Sequence, residues 1–381
     1  MLTKFDNFDG VCFFNGLIFY APVALLIRTR AGVSDSTFFV LQAIVSLAIF
    51  LGEIPTGFIT DKIGYKKSII ISQITMLIAR VLLMSAFLSK SLLLFIIEAI
   101  VEGFGNCFSS GTNEAYLYSV YGEENFTKKV AHSSNFGTIG FIISTITYAF
   151  IYKFLGMKGL LLATVFSGVG AVIFSLFIIK EKAIDVVPER IEVCRVLSFF
   201  KEPKSLLYLV LRSIFSVIWI LINFFYVEKL EMSGISAEWI SAIILVYSMN
   251  QMLAEPIISW IQKFNVKKVF FITCSIAGIL IILLGVVNHI AISIFIMCIG
   301  PLFVSLPEYL LMEQENKRID EMGLEQNRAA SLSALNMGVN IVEIIALFIS
   351  SIFSLNAVKW CFVMAGAVLL TFNLIKVYKK F

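Results

Sequence analysis

The sequence predicts an all-α membrane protein with twelve transmembrane helices, and both its composition and the length of its apolar runs indicate this fold. The chain of 381 residues is 59% hydrophobic and 15% charged. Ordinary soluble domains carry about 25% charged residues, and polar positions interrupt their apolar runs far more often. Several apolar runs here reach the length of about 20 residues that crosses a hydrocarbon core of about 30 Å. We therefore expect a multi-pass membrane protein.

Twelve apolar segments follow one another along the chain, and their ends are placed to within about 3 residues. They cover residues 5–28, 36–60, 68–88, 91–117, 131–153, 158–180, 205–228, 236–260, 269–288, 290–314, 330–354 and 357–378. A polar segment of mixed charge, residues 181–204, is the only long connection between them. It divides the chain into an N-terminal bundle of six helices, residues 1–180, and a C-terminal bundle of six helices, residues 205–381.

The distribution of lysines and arginines determines the predicted orientation. With both termini inside, the inner segments hold about three bases for each base outside, and the positive-inside rule then places both termini in the cytoplasm. In this arrangement Lys128 and Lys129 belong to an inner loop, and Arg28 belongs to an outer loop. Asp9, near the start of the first span, is expected at the membrane interface.

A polar segment, EIPTGFITDKIGYKK, separates the second and third predicted spans. Gly57 allows close packing of two helices, and Gly64 suits a tight turn with positive φ. Asp61 can accept hydrogen bonds or pair with a base. Lys66 and Lys67 would hold the turn on the cytoplasmic side of the membrane.

This segment resembles the loop between helices two and three of the major facilitator superfamily. The shared pattern is Gly57, three residues, Asp61, two residues, Gly64, and then two bases. The sequence SGTNEA of Ser110–Ala115 and the sequence RAASLS of Arg328–Ser333 resemble elements of the bacterial drug-exporter-like members. Together these elements extend the resemblance over most of the chain.

The resemblance implies two parallel six-helix bundles with a substrate site between them. A shift of 201 residues superposes Pro55 on Pro256, and it also superposes the NFG and NMG tripeptides of the fifth and eleventh spans. The second copy has Gln262 in the place of Asp61, so the gate chemistry is assigned to the first copy. The residues assigned to the cytoplasmic gate are Gly57, Asp61, Gly64, Lys66, Lys67 and Arg328.

Three charged residues lie deep in the third and fourth spans. At about 1.5 Å per helical residue, Glu98, Arg80 and Glu102 lie roughly 9, 12 and 15 Å below the outer surface. A charge at this depth costs at least about 2.5 kcal/mol, so each needs a partner or water. Arg80 could pair with Glu98 or Glu102, and such an ion pair would have only a structural role, holding two helices together. Alternatively, Glu102 faces the cavity and couples proton movement to transport, with Glu308 as the next candidate.

In this superfamily spans one, four, seven and ten line the substrate cavity. The cavity candidates implied by the resemblance are Asn15, Asn106, Arg212, Asn223 and Glu308. Arg212 lies close to the inner interface and could instead extend to the membrane surface. Glu53, Glu255 and Glu343 also lie within spans, and they are assigned to helix packing. Aromatic residues in spans one, four and seven would suit an apolar, permissive pocket.

The resemblance implies proton-driven efflux of amphipathic or hydrophobic small molecules. Two departures bear on the coupling: the arginine that proton antiporters carry in span four is Ala99 here, and Gly137 and Gly140 of span five lack the antiporter proline. Proton-coupled uptake of a small nutrient is therefore an alternative. A non-transporting immunity or sensor protein on the same fold is a third interpretation.

Other classes of function are disfavoured. The chain has no HExxH or GxSxG motif, so a membrane enzyme is not expected. His132 and His289 are the only histidines, too few for a His-rich metal site, and no cofactor is predicted. The bases occupy short loops and not one face, which argues against nucleic acid as a partner. The expected partners are a small-molecule substrate, protons and the lipid bilayer, and the expected form is a monomer in the cell membrane.

Overall fold

The computed structural model describes most of the chain, and the described part is helical and contains no β-strand. The described residues are 4–21, 24–181, 199–234, 237–261, 263–352 and 358–374. Most of the predicted linker, together with the side chain of the predicted cavity residue Asn223, lies outside the described part.

The α-helices of the described residues are numbered α1 to α14 in chain order. The N-terminal half contains α1 (Asn7–Gly16), α2 (Ala24–Arg30), α3 (Asp35–Ile63), α4 (Tyr65–Ser89), α5 (Leu92–Ser109), α6 (Thr112–Tyr121) and α7 (Glu123–Leu176). The C-terminal half contains α8 (Pro203–Met232), α9 (Ala237–Gln251), α10 (Ala254–Ile261), α11 (Val266–Val286), α12 (Ile290–Glu321), α13 (Arg328–Ile352) and α14 (Val358–Leu374). Short 3₁₀ turns at Phe199–Lys201 and Glu325–Asn327 precede α8 and α13.

Among the described residues, six helical segments are long and apolar enough to cross a membrane. They are Val40–Ile63, Tyr65–Ser89, Leu92–Tyr121, Phe150–Leu176, Val266–Val286 and Ile290–Glu321. Large apolar side chains cover the outside of these helices: Leu93, Phe150 and Phe166 are 65%, 68% and 66% exposed. Such a surface suits lipid and not water. The multi-pass character is therefore confirmed, while the full set of twelve spans stays a prediction.

The first predicted span is not a continuous helix. α1 ends at Gly16 and α2 begins at Ala24, whereas the sequence predicted one helix over 5–28. A proline follows Ala21 in the sequence, and a proline disfavours the helical conformation for the residue that precedes it. α1 also contacts α7 very closely, because a Cβ on Gly140 would lie 3.2 Å from the Cα of Gly16. Small residues allow this approach of two helix backbones.

A second break interrupts the predicted span 91–117. α5 ends at Ser109, and Gly111 between α5 and α6 has a φ of 63°, which favours glycine. A Cβ on Gly111 would lie 2.9 Å from the backbone N of Ser333 in α13. The chain therefore bends where it meets the other half.

The helices of each half pack mainly on one another, and the contacts between the halves are concentrated at two places. α1 packs on α7, and α4 packs on α5 and α7 in the N-terminal half; α11 packs on α14 and α12 in the C-terminal half. Between the halves, α3 packs on α13, and α7 packs on α10 and α12. A cavity lined by α3 and α13 lies beside the first of these contacts.

Candidate functional site

The cavity has a volume of about 380 Å³ and is lined by both halves of the chain. The lining residues are Ile49, Glu53, Asn106, Ser110, Arg212, Ser216, Glu308, Asn336, Val339, Asn340 and Glu343. Only two of these side chains are apolar. The cavity therefore matches the size of a small-molecule site, but its wall is more polar than that of most ligand pockets.

Arg212 on α8 joins the two halves at one side of the cavity. Its Nη2 atom lies 2.5 Å from Oε1 of Glu114 on α6, and its Nη1 atom donates to Glu315 on α12. Its side chain is only 12% exposed. The expectation that Arg212 extends to the membrane surface is wrong, because two carboxylates bind the guanidinium inside the protein.

Three carboxylates line the cavity. Glu308 accepts a hydrogen bond of 2.8 Å from the indole N–H of Trp219, and Glu343 accepts one from the hydroxyl of Ser216. Glu53 is only 2% exposed, and its Oε2 atom has no hydrogen-bond partner. The assignment of Glu53 and Glu343 to helix packing is therefore corrected: both belong to the cavity wall.

Carboxamides and hydroxyls complete the polar wall. Asn336 on α13 donates to Oγ of Ser110 at 2.6 Å, so this contact also crosses from one half to the other. Asn106 lines the cavity as the sequence predicted. Asn15 does not; it lies inside the N-terminal half, where its amide donates to Oε1 of Gln73 at 2.9 Å.

Arg80 is bound within the N-terminal half and forms neither of the predicted pairs. Its guanidinium donates to Oγ of Ser167 at 2.9 Å and to Oδ1 of Asn15 at 3.3 Å. Ser167 in turn donates to the carbonyl of Leu17, in the break between α1 and α2. Neutral acceptors thus satisfy Arg80 at the point where the broken helix frees a backbone carbonyl.

Glu98 pairs with Arg28, at 3.6 Å between Oε1 and Nη2, and both side chains are buried. The placement of Arg28 in an outer loop is therefore wrong. Glu102, one helical turn further along α5, is half-buried and forms no ion pair in the described part of the chain. Glu98, Glu102 and Arg80 are not among the residues that line the cavity, whereas Glu308 is.

Asp61 closes one end of the molecule, which we call the Asp61 end. Its two carboxylate oxygens accept hydrogen bonds of 2.9 Å from the backbone N–H groups of Ala329 and Ala330, in the first turn of α13. Gly57 makes this approach possible, because a Cβ there would lie 2.7 Å from the Cα of Ala330. A carboxylate at a helix N-terminus is stabilised by the free N–H groups and by the helix dipole.

Arg328 supports the same region without forming an ion pair with Asp61. It donates to Oδ1 of Asn316 at 3.0 Å, pairs with Asp320, and lies 4.4 Å from the ring centroid of Tyr118. These contacts hold the start of α13 against α12 and α6.

The turn after Asp61 has the predicted backbone. Gly64 has a φ of 95°. Lys66 donates from its backbone N to Oε2 of Glu181 at 3.2 Å and from Nζ to the carbonyl of Ile178 at 2.8 Å. Lys67 is exposed.

A second polar contact between the halves was not predicted. Asp9 is fully buried and accepts hydrogen bonds of 2.7 Å from Nζ of Lys129 and from Oγ of Ser133. His132 lies between Asp9 and the other half, with Nδ1 at 2.8 Å from Oε1 of Glu255 on α10. Lys129 was expected in a loop, and this is wrong because it lies within α7; the position of Asp9 at the membrane interface stays a prediction.

The sequence did contain a signal for this network. Asp6 and Asp9 form a capping box at the start of α1, and this motif places both carboxylates at the first turn of the helix. Lys129 and His132 are three residues apart, which places them on one helix face. Only the packing of α1 on α7 shows that these two pairs meet.

No cluster of three or more His, Cys, Asp or Glu side chains suited to a metal ion occurs within the described ranges. The arrangement is thus a polar cavity between two halves, which two sets of polar contacts, at Asp61 and at Glu255, also join.

Comparisons with known proteins agree with this architecture. The sequence profile of the Major Facilitator Superfamily matches residues 10–307. Comparison with curated proteins finds no match. Among solved structures, the fold is similar to the Escherichia coli fucose:proton symporter FucP, with a TM-score of 0.76 and 13% identity over 97% of each chain. One of the FucP structures is described as the outward conformation. The human organic anion transporter MFSD10 (TETRAN) is similar with a TM-score of 0.69 and 12% identity, also over 97% of each chain.

Proposed function

Because the chain belongs to the major facilitator superfamily, we propose that it is a secondary active transporter that moves a small solute across the cytoplasmic membrane by alternating access. The observation that carries the proposal is the polar cavity between the halves, with Glu53 and Asn106 from one half facing Arg212, Glu308 and Glu343 from the other. A solute bound to groups of both halves couples its own movement to their relative rotation.

The proposed architecture is that of the sequence prediction: bundles of six helices at residues 1–180 and 205–381, joined by the cytoplasmic linker 181–204. In this topology both termini and the Asp61 end face the cytoplasm. The hydrogen bonds from Ala329 and Ala330 to Asp61 then support an outward-facing or occluded state. Release of Asp61 from α13 opens the cytoplasmic side.

Each predicted gate residue has a proposed part in this closure. Gly57 allows α3 and α13 to touch, Asp61 binds the start of α13, and Gly64 makes the turn that follows. Lys66 anchors that turn to the end of α7, and Arg328 holds the start of α13 in place. Lys67 contributes positive charge on the cytoplasmic side.

For direction and energy source, we propose proton-driven export. The polar wall of the cavity supports amphipathic solutes with a polar group and speaks against purely hydrophobic ones, because buried carboxylates and amides need hydrogen-bond partners. Proton-coupled uptake remains the alternative, and the similar FucP is described as a fucose:proton symporter.

Flux measurements test this proposal. We would reconstitute the purified protein in proteoliposomes of both orientations, impose a pH gradient, and follow a panel of cationic, neutral and anionic solutes. A transporter moves at least one solute against its gradient, and an ionophore that collapses the pH gradient stops it. The sign of the pH gradient that drives accumulation separates export from uptake. A protein that binds solutes tightly but never moves them faster than empty liposomes do would be a receptor or immunity protein instead.

A further inference from the structure

The cavity contains more carboxylates than bases. Glu53, Glu308 and Glu343 line it, whereas Arg212 is the only base among the lining residues. Arg212 is already bound by two further carboxylates, those of Glu114 and Glu315. The three lining carboxylates therefore form no ion pair with a basic side chain among the residues that line the cavity.

Glu53 is the most deeply buried of the three carboxylates. Only 2% of the residue is exposed, and its Oε2 atom receives no hydrogen bond from the described part of the chain. Buried polar atoms are nearly always hydrogen-bonded, and an unsatisfied carboxylate oxygen costs more than a neutral one. The hydroxyls of Ser110 and Ser333 interact with this carboxylate, but both are neutral, so a cationic donor at the cavity wall would supply the counter-charge that these hydroxyls do not.

The rest of the wall fits a ligand that donates hydrogen bonds. Glu308 and Glu343 each accept a bond from a neutral donor, Trp219 and Ser216, and each carboxylate can accept further bonds. An anionic ligand would have to displace a carboxylate from Arg212, because that guanidinium is shared between two of them. A neutral ligand would leave the carboxylates of the wall without a counter-charge.

We propose that the substrate is a small organic cation with at least two nitrogen groups that carry N–H donors, such as a diamine, a guanidino-amine or a polyamine. One group binds Glu53 on α3, and the other binds Glu308 or Glu343 in the C-terminal half. The ligand needs two donor groups because these carboxylates belong to opposite halves of the chain. The volume of about 380 Å³ accommodates such a ligand. This inference rests on the proposed function, and it specifies the substrate of that same site.

Binding to the whole protein in lipid nanodiscs tests the inference. The probes are putrescine, agmatine and spermidine, with butane-1,4-diol and succinate as neutral and anionic compounds of similar length. Tetraphenylphosphonium serves as an apolar cation without N–H groups. Isothermal titration is expected to detect at least one of the three amines and neither the diol nor succinate.

Variants then locate the site. Loss of a charge-assisted hydrogen bond costs about 1.5–3 kcal/mol, so Glu53→Gln and at least one of Glu308→Gln and Glu343→Gln should weaken amine binding at least about tenfold. Glu325→Gln is the matched control, because Glu325 is exposed and lies outside the cavity. Glu53→Asp retains the charge and should restore part of the affinity. Each variant is first compared with the wild type by gel filtration and thermal unfolding.

The outcomes separate this inference from the proposed function. Binding of succinate or the diol without any amine overturns the inference, and so does binding of tetraphenylphosphonium alone. Transport of a neutral or anionic solute in the proteoliposome assay leaves the transporter assignment standing while the inference fails. Amine binding that survives Glu53→Gln, or survives both Glu308→Gln and Glu343→Gln, unchanged also overturns it, because the site then lies elsewhere.

Discussion

At the scale of single residues, the contact between Asp61 and α13 is strong because both carboxylate oxygens are used. Each oxygen accepts one of the N–H groups that the first turn of a helix leaves without an intrahelical partner. The negative charge also lies at the positive end of the helix dipole. No basic side chain is needed, and Arg328 is instead bound to Asn316 and Asp320.

We predict that Asp61→Ala leaves the protein folded in the membrane but stops transport. The amides of Ala329 and Ala330 lose their acceptor, and at about 1.5–3 kcal/mol for a charge-assisted bond their hydrogen exchange should accelerate about tenfold or more. Hydrogen-exchange mass spectrometry of the peptide around residues 326–335 measures this change. Lys62→Ala is the control, because Lys62 is adjacent and exposed. Normal transport by well-expressed Asp61→Ala protein would remove Asp61 from the gate.

A second prediction concerns the buried network of Asp9. Removing one partner of a buried ion pair costs about 3–5 kcal/mol, because the other charge stays buried without compensation. Lys129→Ala should therefore lower the unfolding temperature in detergent clearly, since Lys129 is 1% exposed and binds Asp9. The neighbouring half-exposed Lys128 provides the control variant Lys128→Ala. If the unpaired charge is the cause, the double variant Asp9→Asn with Lys129→Met should regain part of the loss; no recovery would contradict that cause.

The charged residues also show what a single sequence can and cannot indicate. The pattern of Gly57, Asp61 and Gly64 is local, so its turn and its acidic group were predictable. The partners of Arg28 and Lys129 were not, because each lies in sequence beside a loop and becomes buried only when α2 or α7 packs on distant helices.

At the scale of helices, the approach of α3 to α13 depends on the absence of a side chain at one position. A Cβ at Gly57 would lie 2.7 Å from the Cα of Ala330 and 3.1 Å from the carbonyl oxygen of Ala329. Backbone atoms cannot move aside as flexible side chains do, so the two helices would have to separate.

The corresponding prediction is that Gly57→Ala weakens the closed state even though alanine favours helices. Amide exchange at Ala329 and Ala330 should accelerate, and the transport rate should change with it. Gly300→Ala is the matched control, because Gly300 lies within α12 and a Cβ there meets no atom within 4 Å. Alanine is the better helix former by roughly 0.5–1 kcal/mol, so this control should be neutral or slightly stabilising. Equal effects of the two variants would show that close packing at Gly57 is unimportant.

Helix positions were more predictable than helix breaks. The predicted spans 68–88 and 269–288 correspond to α4 (Tyr65–Ser89) and α11 (Val266–Val286), because their apolar runs end at clear polar or glycine boundaries. The break after Gly16 was missed because it lies inside an apolar run, and the break at Gly111 was missed because its polar neighbours were included in the predicted span 91–117; both breaks involve close contact with another helix.

At the scale of the whole molecule, the two contacts between the halves follow the internal repeat. The shift of 201 residues relates α3 to α10 and α7 to α13. The contact of α3 with α13 is therefore matched by that of α10 with α7. The first contact uses Asp61 and backbone N–H groups, and the second uses Glu255 and His132. The repeat relates the two contacts in space, but the second one, with its histidine, was not predicted from the sequence.

The proposed topology predicts on which side of the membrane the linker and the C-terminal tail lie. Reporter fusions near Pro188 and after Phe381 should both give cytoplasmic signals, because six spans separate the N-terminus from the linker and six more precede the tail. Alkaline phosphatase and green fluorescent protein fusions at each position provide opposite readouts. An extracytoplasmic signal at either position would show that the number of spans before it is odd.

The last prediction asks which carboxylate couples protons to transport. Glu102 lies on α5 outside the cavity wall, half-buried and without an ion pair among the described residues, whereas the neighbouring Glu98 is bound by Arg28. Ionisable side chains within the membrane are costly and often belong to proton pathways. Glu102→Gln removes the ionisable group at nearly the same volume, so it should abolish accumulation against a gradient but preserve passive exchange of substrate.

Glu98→Gln distinguishes this role from simple packing. It leaves the buried Arg28 without its carboxylate, so it should lower thermal stability, whereas Glu102→Gln should not. Exchange and gradient-driven accumulation are compared in the same proteoliposomes at several pH values. If Glu102→Gln still concentrates substrate with the pH dependence of the wild type, the coupling group belongs to the cavity itself. Glu308 is then the carboxylate to test, because it lines the cavity and its only hydrogen bond given by the structure comes from the neutral indole of Trp219.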